Sequence, residues 1–273
     1  CHGAKGGLHG RIAGRLAGFP TVYTPHGGSL HYDWRSPAGF VFLAAEWLLA
    51  RLGTGIHFVC DFEKSAFDVK IGLGPKPFAV VHNGLWPEEF TPRGLDADAA
   101  DILFVGDMRV LKGVDVLLRA LERLGSGVTA CLVGDGPDLD TFRAMAKTRN
   151  LAVSFPGRMP AAEAFRRGRI LVMPTRAESF PYVVLEALAQ SVPLIASRVG
   201  GIPEILDQSQ MVPPDDVAAL AEAIGLALAG GGLEVEAAAR AERLRQGFSA
   251  ERMIDGVMAL YGRILAGASI RHG

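Results

Sequence analysis

The chain has 273 residues, of which 49% are apolar and 21% charged, enough for two domains with cores of their own and too apolar for a disordered chain. A formal charge of −1 leaves no global basic field for nucleic acid or an anionic membrane surface. Three scattered cysteines, Cys1, Cys60 and Cys131, lack C-x-x-C spacing and read as reduced thiols of a cytosolic protein, against a disulfide frame or a zinc site.

The opening CHGAKGGLHGRIAGRLAGFP (1–20) reads as the interior of a domain, and the expectation is a fragment lacking its first strands. Short apolar or β-branched runs mark strands at TVYT (21–24), IHFVC (56–60) and FAVVH (78–82). Three strands alone leave an open apolar sheet edge, which supports the same expectation. Between the first two lies AGFVFLAAEWLLA (38–50), too short for the ~18 residues that span a bilayer and interrupted by Glu46. It reads as a buried helix with Ser36 as N-cap and Pro37 in its first position, with a membrane-facing role as the alternative. His82 reads as structural, followed by a turn at Asn83-Gly84.

The Pro- and acid-rich PEEFTPRGLDADAAD (87–101) reads as a linker. Strand signals then return at 101–106, 129–134, 153–157, 170–175 and 192–197, with helical patterns at 114–125, 138–150, 160–168 and 181–190. In VDVLLRALERLG, Val114, Leu117, Leu118, Leu121 and Leu124 recur at helical spacing before Gly125. FSAERMIDGVMALYGRILAG (248–267) reads as a final helix with Ser249 as N-cap and Glu251 in its first turn. Alternation of this kind predicts an α/β fold with parallel sheets covered by helices. The expected domains are 1–97, 98–250, and a C-terminal helix within 251–273 that returns to the first domain.

Sites in such sheets lie beyond the carboxyl ends of the strands. The loops there are GDMRVLKG (106–113), GDGPD (134–138), GRMP (157–160), RAESFP (176–181) and RVGGIPE (198–204). Glycines, helix N-termini, Arg109 and Lys112 together suit a diphosphate. Lys112 precedes a helix, where a cation opposes the dipole by about 0.3–1 kcal/mol, and an anionic ligand would offset that. Glu178 and Glu186 stand eight residues apart, as a catalytic pair, a two-point clamp on an extended ligand, or a plain surface helix. Eight helical residues span ~12 Å, beyond the ~5–9.5 Å of glycosidase carboxyls, so the clamp is preferred. The D-x-D runs DAD (96–98) and DLD (138–140) fall in the linker and at a helix start, and are not read as metal sites. His2, His9, His31, His57, His82 and His272 show no metal-ligand clustering, and Ser179 no tie to a base.

Taken in order, TPHG, VVHNG, LFVGDMRVLKGVDVLLRAL, LVGDGPDL, FPGRMP, ESFPYVVLEA and VGGIPEIL resemble the family-4 retaining glycosyltransferases of GT-B fold. The resemblance covers essentially the whole chain and implies two Rossmann-like domains with parallel sheets, the first incomplete here. It implies that Lys112 neutralises a donor diphosphate, Glu178 reaches the donor sugar and Glu186 holds the ribose. It places Gly106, Arg109 and Gly134 in phosphate loops, and Ser179, Phe180, Pro181, Tyr182 and Val183 at sugar and phosphate. Arg158 and Met159 fall near the base, and His26 near the donor sugar, among the catalytic residues with Lys112 and Glu178, as a positioning group with a general base as the alternative. No metal or other cofactor is implied. The implied partners are a UDP- or GDP-type nucleotide sugar and a saccharide or lipid-linked acceptor. Work at the cytoplasmic face, with peripheral contact to the inner membrane as an option, and surface polysaccharide or glycolipid assembly follow by analogy.

Two positions depart from the family pattern. Asp107 stands where the family usually has arginine, with Arg109 two positions on as a candidate substitute. Pro181 replaces a frequent glycine and offers no N–H. A non-catalytic nucleotide-sugar-binding or scaffold protein with a degraded phosphate loop is therefore the alternative, and a nucleotide-sugar epimerase a weaker one.

Overall fold

The computed structural model describes residues 1–91, 94–230 and 244–269, so Pro92 and Arg93 of the expected linker and His272 lie outside the described residues. The chain divides into two compact units, Cys1–Gly84 with the chain from Ala250 onward, and Leu85–Ser249.

In the first unit, α1 (Gly3–Ala17) leads into β1 (Val22–Tyr23), α2 (Pro37–Leu49), β2 (Gly55–Phe58), α3 (Asp61–Lys70) and β3 (Phe78–Val80). The strands pair in parallel in the order β1-β2-β3. The C-terminal helix (Ala250–Ser269) packs on β2 and β3 and carries Glu251 in its first turn. Helix α1 contains five glycines, and weak helix formers of that kind hide a helix from propensity. They serve packing instead: added Cβ atoms at Gly7 and Gly14 would come within 2.3 Å of Tyr23 and 2.1 Å of Thr21. No turn forms at Asn83-Gly84; the chain runs on irregularly there, with Asn83 buried.

Helix α2 begins as expected, with Pro37 in its first turn and Ser36 Oγ accepting from Gly39 N at 3.0 Å. It is not a buried helix, however. Gly39, Leu43, Glu46 and Leu49 are buried, whereas Phe40, Val41, Phe42, Trp47 and Leu48 are exposed. A helix seated on one flank buries one stripe, whatever its average hydropathy.

Glu46 points inward and meets Arg11 of α1, with Arg11 Nη1 2.6 Å from Glu46 Oε1. Tyr23 and Ser29 hydroxyls donate to the other carboxylate oxygen at 3.1 and 3.2 Å. Arg11 Nε donates to the Gly7 carbonyl at 2.8 Å and its guanidinium lies 3.8 Å from the Tyr23 ring centroid.

The second unit runs β4 (Ala100–Val105), α4 (Val114–Leu124), β5 (Thr129–Val133), α5 (Leu139–Thr148), β6 (Ala152–Gly157), α6 (Ala161–Ala164), β7 (Gly168–Met173), α7 (Tyr182–Ala189), β8 (Leu194–Ser197), β9 (Met211–Val212) and α8 (Val217–Leu228). All six strands are parallel, ordered β6-β5-β4-β7-β8-β9. Ile102 and Phe104 of β4, Leu117 and Leu121 of α4, and Ile224 of α8 share one buried core. Such runs bury both faces of a central parallel strand.

The division between units falls at Gly84 and Leu85, ahead of the 97/98 expected. Leu85 N donates to Phe248 O at 2.9 Å, Leu85 forms a bridge with Ser249, and Phe90 is buried beneath Arg245. The segment expected as linker therefore begins as a packed part of the second unit.

Candidate active site

The order of the second sheet reverses at its centre. From β4 the chain winds outward through β5 and β6, then returns to the other side for β7, β8 and β9. Loops leaving β4 and β7 must part there, and a crevice at that switch point is where doubly wound sheets bind ligands. A cavity of about 280 Å³ occupies this place. The end of β4 contributes Gly106 and Asp107, the turn after it Lys112, the loop after β7 Thr175 and Glu178, and the start of α7 Pro181, Tyr182, Val183 and Glu186.

Lys112 closes a 3-10 turn (Val110–Lys112), and Gly113 then starts α4 with φ of 70°. That left-handed backbone suits glycine, and an added Cβ would stand 1.9 Å from the Pro174 carbonyl oxygen. The Lys112 turn is thus pressed onto the strand end that leads to Glu178. Lys112 Nζ reaches Glu178 Oε1 at 2.5 Å, and Thr175 Oγ1 donates to the same oxygen at 3.2 Å. The pair is accessible from the cavity, with side chains 27% and 11% exposed.

Pro181 caps α7 with φ of −75°, so the missing N–H falls outside the helix proper. The positive end of the α7 dipole lies at the residues that line the cavity. Glu186, one turn further in, is half-buried, and burial followed by the nearby Glu89 charge pushes its carboxyl above the ordinary range.

The GDGPD loop braces the loop that follows β4. Gly134, with φ of 144°, leaves room for the Gly106 carbonyl, 1.8 Å from where a Cβ would stand. Met108 N donates to Asp135 O at 3.0 Å, and Asp138 Oδ2 accepts from Val110 N at 2.8 Å. Asp96 of the other D-x-D run pairs with Arg166 and Arg167. Among the described residues, no three His, Cys, Asp or Glu side chains converge as a metal site.

Of the residues singled out from sequence, the cavity gathers Gly106, Lys112, Glu178, Pro181, Tyr182, Val183 and Glu186. Arg109 is exposed and outside the lining, whereas Asp107 is in it. Arg158 and Met159 also lie outside the lining, and Arg158 Nη2 stands 4.0 Å from Asp107 Oδ1. Ser179 and Phe180 hold the loop: the Ser179 carbonyl accepts from Gly201 N at 2.8 Å, and Phe180 packs in the core 5.7 Å from Phe248. His26 belongs to the first unit, with φ of 53° and Nε2 2.9 Å from His2 Nδ1. Thr175 was not anticipated; a hydroxyl at a strand end three residues before Glu178 is the signal that could have found it.

Two family models cover most of the chain: glycosyl transferases group 1 over residues 99–229 and glycosyl transferase 4-like domain over residues 1–84. The chain belongs to the family-4 GT-B glycosyltransferases. A D-inositol 3-phosphate glycosyltransferase of Mycobacteroides abscessus is 33% identical over 217 residues, covering 70% of this chain and 48% of that protein. Glycogen synthase of Mycobacterium tuberculosis is 30% identical over 224 residues, covering 75% and 53%. The chain thus spans about half the length of these curated relatives. Sucrose-phosphate synthase of Thermosynechococcus elongatus superimposes with a TM-score of 0.86 at 23% identity, covering 97% of this chain and 73% of that one. HepE of Anabaena, solved with UDP, gives 0.81 at 21% identity, covering 95% and 77%. At these identities the family member shares the α/β, GT-B fold of those proteins.

Proposed function

We propose that the protein transfers a sugar, with retention, from a nucleotide-diphosphate sugar to a saccharide or lipid-linked acceptor. The observation that carries this reading is the Lys112–Glu178 pair beside the N-terminus of α7, in a cavity at the switch point. In this reading the ammonium of Lys112 and the α7 dipole meet the diphosphate, where negative charge grows as the sugar–phosphate bond breaks. Preorganised groups of this kind lower such barriers, one donor being worth about 3–4 kcal/mol in comparable sites. Glu178, released from Lys112 by the ligand, holds sugar hydroxyls, and Glu186 holds the ribose. The departing phosphate oxygen keeps the electron pair of the broken bond and takes the proton of the acceptor hydroxyl. The role of His26 rests on its TPHG motif alone. UDP is the first donor base to test, because HepE was solved with UDP and UDP-glucose.

No helix among the described residues is long and apolar enough to cross a membrane. Reaction at the cytoplasmic face, on precursors of a polysaccharide or glycolipid, belongs to the same proposal.

A second reading has its own observation. Asp107 puts a third carboxylate beside Glu178 and Glu186, against the one ammonium of Lys112. That balance gives a departing diphosphate less support, and a binding protein without turnover is the second reading. Product analysis separates the two. Incubated with UDP-glucose or GDP-mannose, with water or maltose as acceptor, a transferase releases nucleoside diphosphate and yields an α-configured product, and Glu178→Gln abolishes both. Nucleotide binding without release of diphosphate sinks the enzymatic reading.

A further inference from the structure

Arg176 follows Thr175 directly, yet its side chain is not part of the cavity lining. It turns away from the site and binds three segments at once. Nη1 and Nη2 form a fork on Asp115 at 2.8 and 2.9 Å, in the first turn of α4. Nε donates to Asp215 Oδ1 at 2.7 Å, in the loop before α8. Nη1 also donates to the Val110 carbonyl, and the Arg176 backbone N–H to the Leu111 carbonyl at 2.9 Å. Every one of these acceptors except Asp215 flanks Lys112, whereas Arg176 itself lies two residues before Glu178.

The geometry has a mechanical consequence. Lys112 and Glu178 sit on different loops, so the distance between them is set by whatever ties those loops together. Gly113 lets the backbones touch at Pro174, but a contact of that kind resists approach and not separation. The Leu111 carbonyl, which accepts from the Arg176 N–H and from Thr175 Oγ1, ties the loops at one point. The Arg176 fork adds a second tie and fixes direction, because a planar guanidinium on a carboxylate has one orientation. Side-chain exposures of 22% for both partners put the fork where water competes poorly. Burial alone pushes the Asp115 carboxyl up, but the hydrogen bonds and charge of Arg176, then of Arg119, hold it below the ordinary range. Asp215 adopts φ of 61°, left-handed backbone that aspartate tolerates better than most residues.

We propose that Arg176 is a positioning residue of the donor site: its fork on Asp115 and its bond to Asp215 hold the Lys112 turn at the spacing from Glu178 that a diphosphate sugar needs. The proposal rests on the transferase reading for the ligand, and on the geometry alone for the clamp.

The test uses Arg176→Lys, which keeps the charge and loses the fork, and Asp215→Asn, which keeps the backbone preference and an acceptor oxygen but loses the charge of one arm. Ligand-free crystal structures of the protein and both variants come first. The clamp predicts that Arg176→Lys parts Lys112 Nζ from Glu178 Oε1 beyond salt-bridge reach with the sheet unmoved, and an unmoved pair overturns it. UDP is then titrated into the protein, Arg176→Lys, Lys112→Ala and the double variant. A positioning role predicts about a tenfold loss for Arg176→Lys that vanishes in the Lys112→Ala background, since coupled residues are not additive. Equal losses in both backgrounds mark a merely structural residue and overturn the proposal. Should the unaltered protein bind no nucleotide, the functional reading fails while the ligand-free structures still decide the clamp. Asp215→Asn is expected to lose about threefold in UDP affinity, and it serves if Arg176→Lys fails to fold.

Discussion

Each unit contains a glutamate paired with a cation, and the two pairs differ in what surrounds them. Arg11 and Glu46 in the first unit are 1% and 4% exposed in their side chains, and both carboxylate oxygens of Glu46 are occupied. Lys112 and Glu178 in the second unit open on a cavity, and the ammonium stands at the end of a short turn. A sealed pair recovers its desolvation cost only by internal bonds, and it serves the fold. A pair at a cavity mouth can exchange partners with a ligand, and in the proposed function it serves binding. Residue type alone does not separate the two cases; surroundings do.

The contrast breaks first at Glu46. Glu46→Ala strands a buried guanidinium and is expected to cost about 3–5 kcal/mol in a denaturant titration, whereas Arg11→Met with Glu46→Leu recovers most of it. A comparable loss from Glu178→Ala, measured in the same way, would erase the distinction between a structural and a binding pair.

Gly113 sharpens the comparison at the second site. Gly113→Ala forces a side chain into left-handed backbone against the Pro174 carbonyl, a strain of about 1–3 kcal/mol. It should lower stability and UDP affinity together, because the Lys112 turn moves. An unfolding midpoint and a Kd that both match the unaltered protein would contradict the close seam.

The smallest expected effect concerns Glu186. Its folded carboxyl holds a proton to higher pH than in the unfolded chain, because of burial and then Glu89. Stability therefore falls as pH rises from the ordinary carboxylate value of about 4.3 through the raised one, and is level above it. Glu186→Gln removes that fall. Its melting temperature should match the unaltered protein near pH 4 and exceed it at pH 7, while nucleotide affinity drops. A variant less stable at pH 7 would reverse the sign.

Much of the second unit was legible because central parallel strands are continuous apolar runs and their helices are amphipathic: β4, β5, β7 and α4 lie where the pattern puts them. Helix α8 was not singled out from sequence, although Asp216 precedes an Ala- and Leu-rich run and its side chain accepts from Ala219 N at 2.9 Å. Strand β9 has two residues and no pattern to read. Helix α1 was hidden by glycines chosen for contact with Tyr23 and Thr21, and the exposed stripe of α2 by an average hydropathy that suits a core. At the site, Lys112 and Glu178 stood out because loops at strand ends announce themselves, and Glu186 because it stands eight residues beyond Glu178. The bond from Arg176 to Asp115 did not, because its partners are 61 residues apart and meet only through the strand order.

The central claim is that the Lys112–Glu178 cavity takes a nucleoside diphosphate. Calorimetric titration of the protein with UDP and with GDP, repeated on Lys112→Ala, tests it most directly. The account predicts binding of one nucleotide, weakened at least about tenfold (~1.4 kcal/mol) by Lys112→Ala with the unfolding midpoint unchanged. Equal affinity of the folded variant and the unaltered protein, or no heat with either nucleotide, would contradict it.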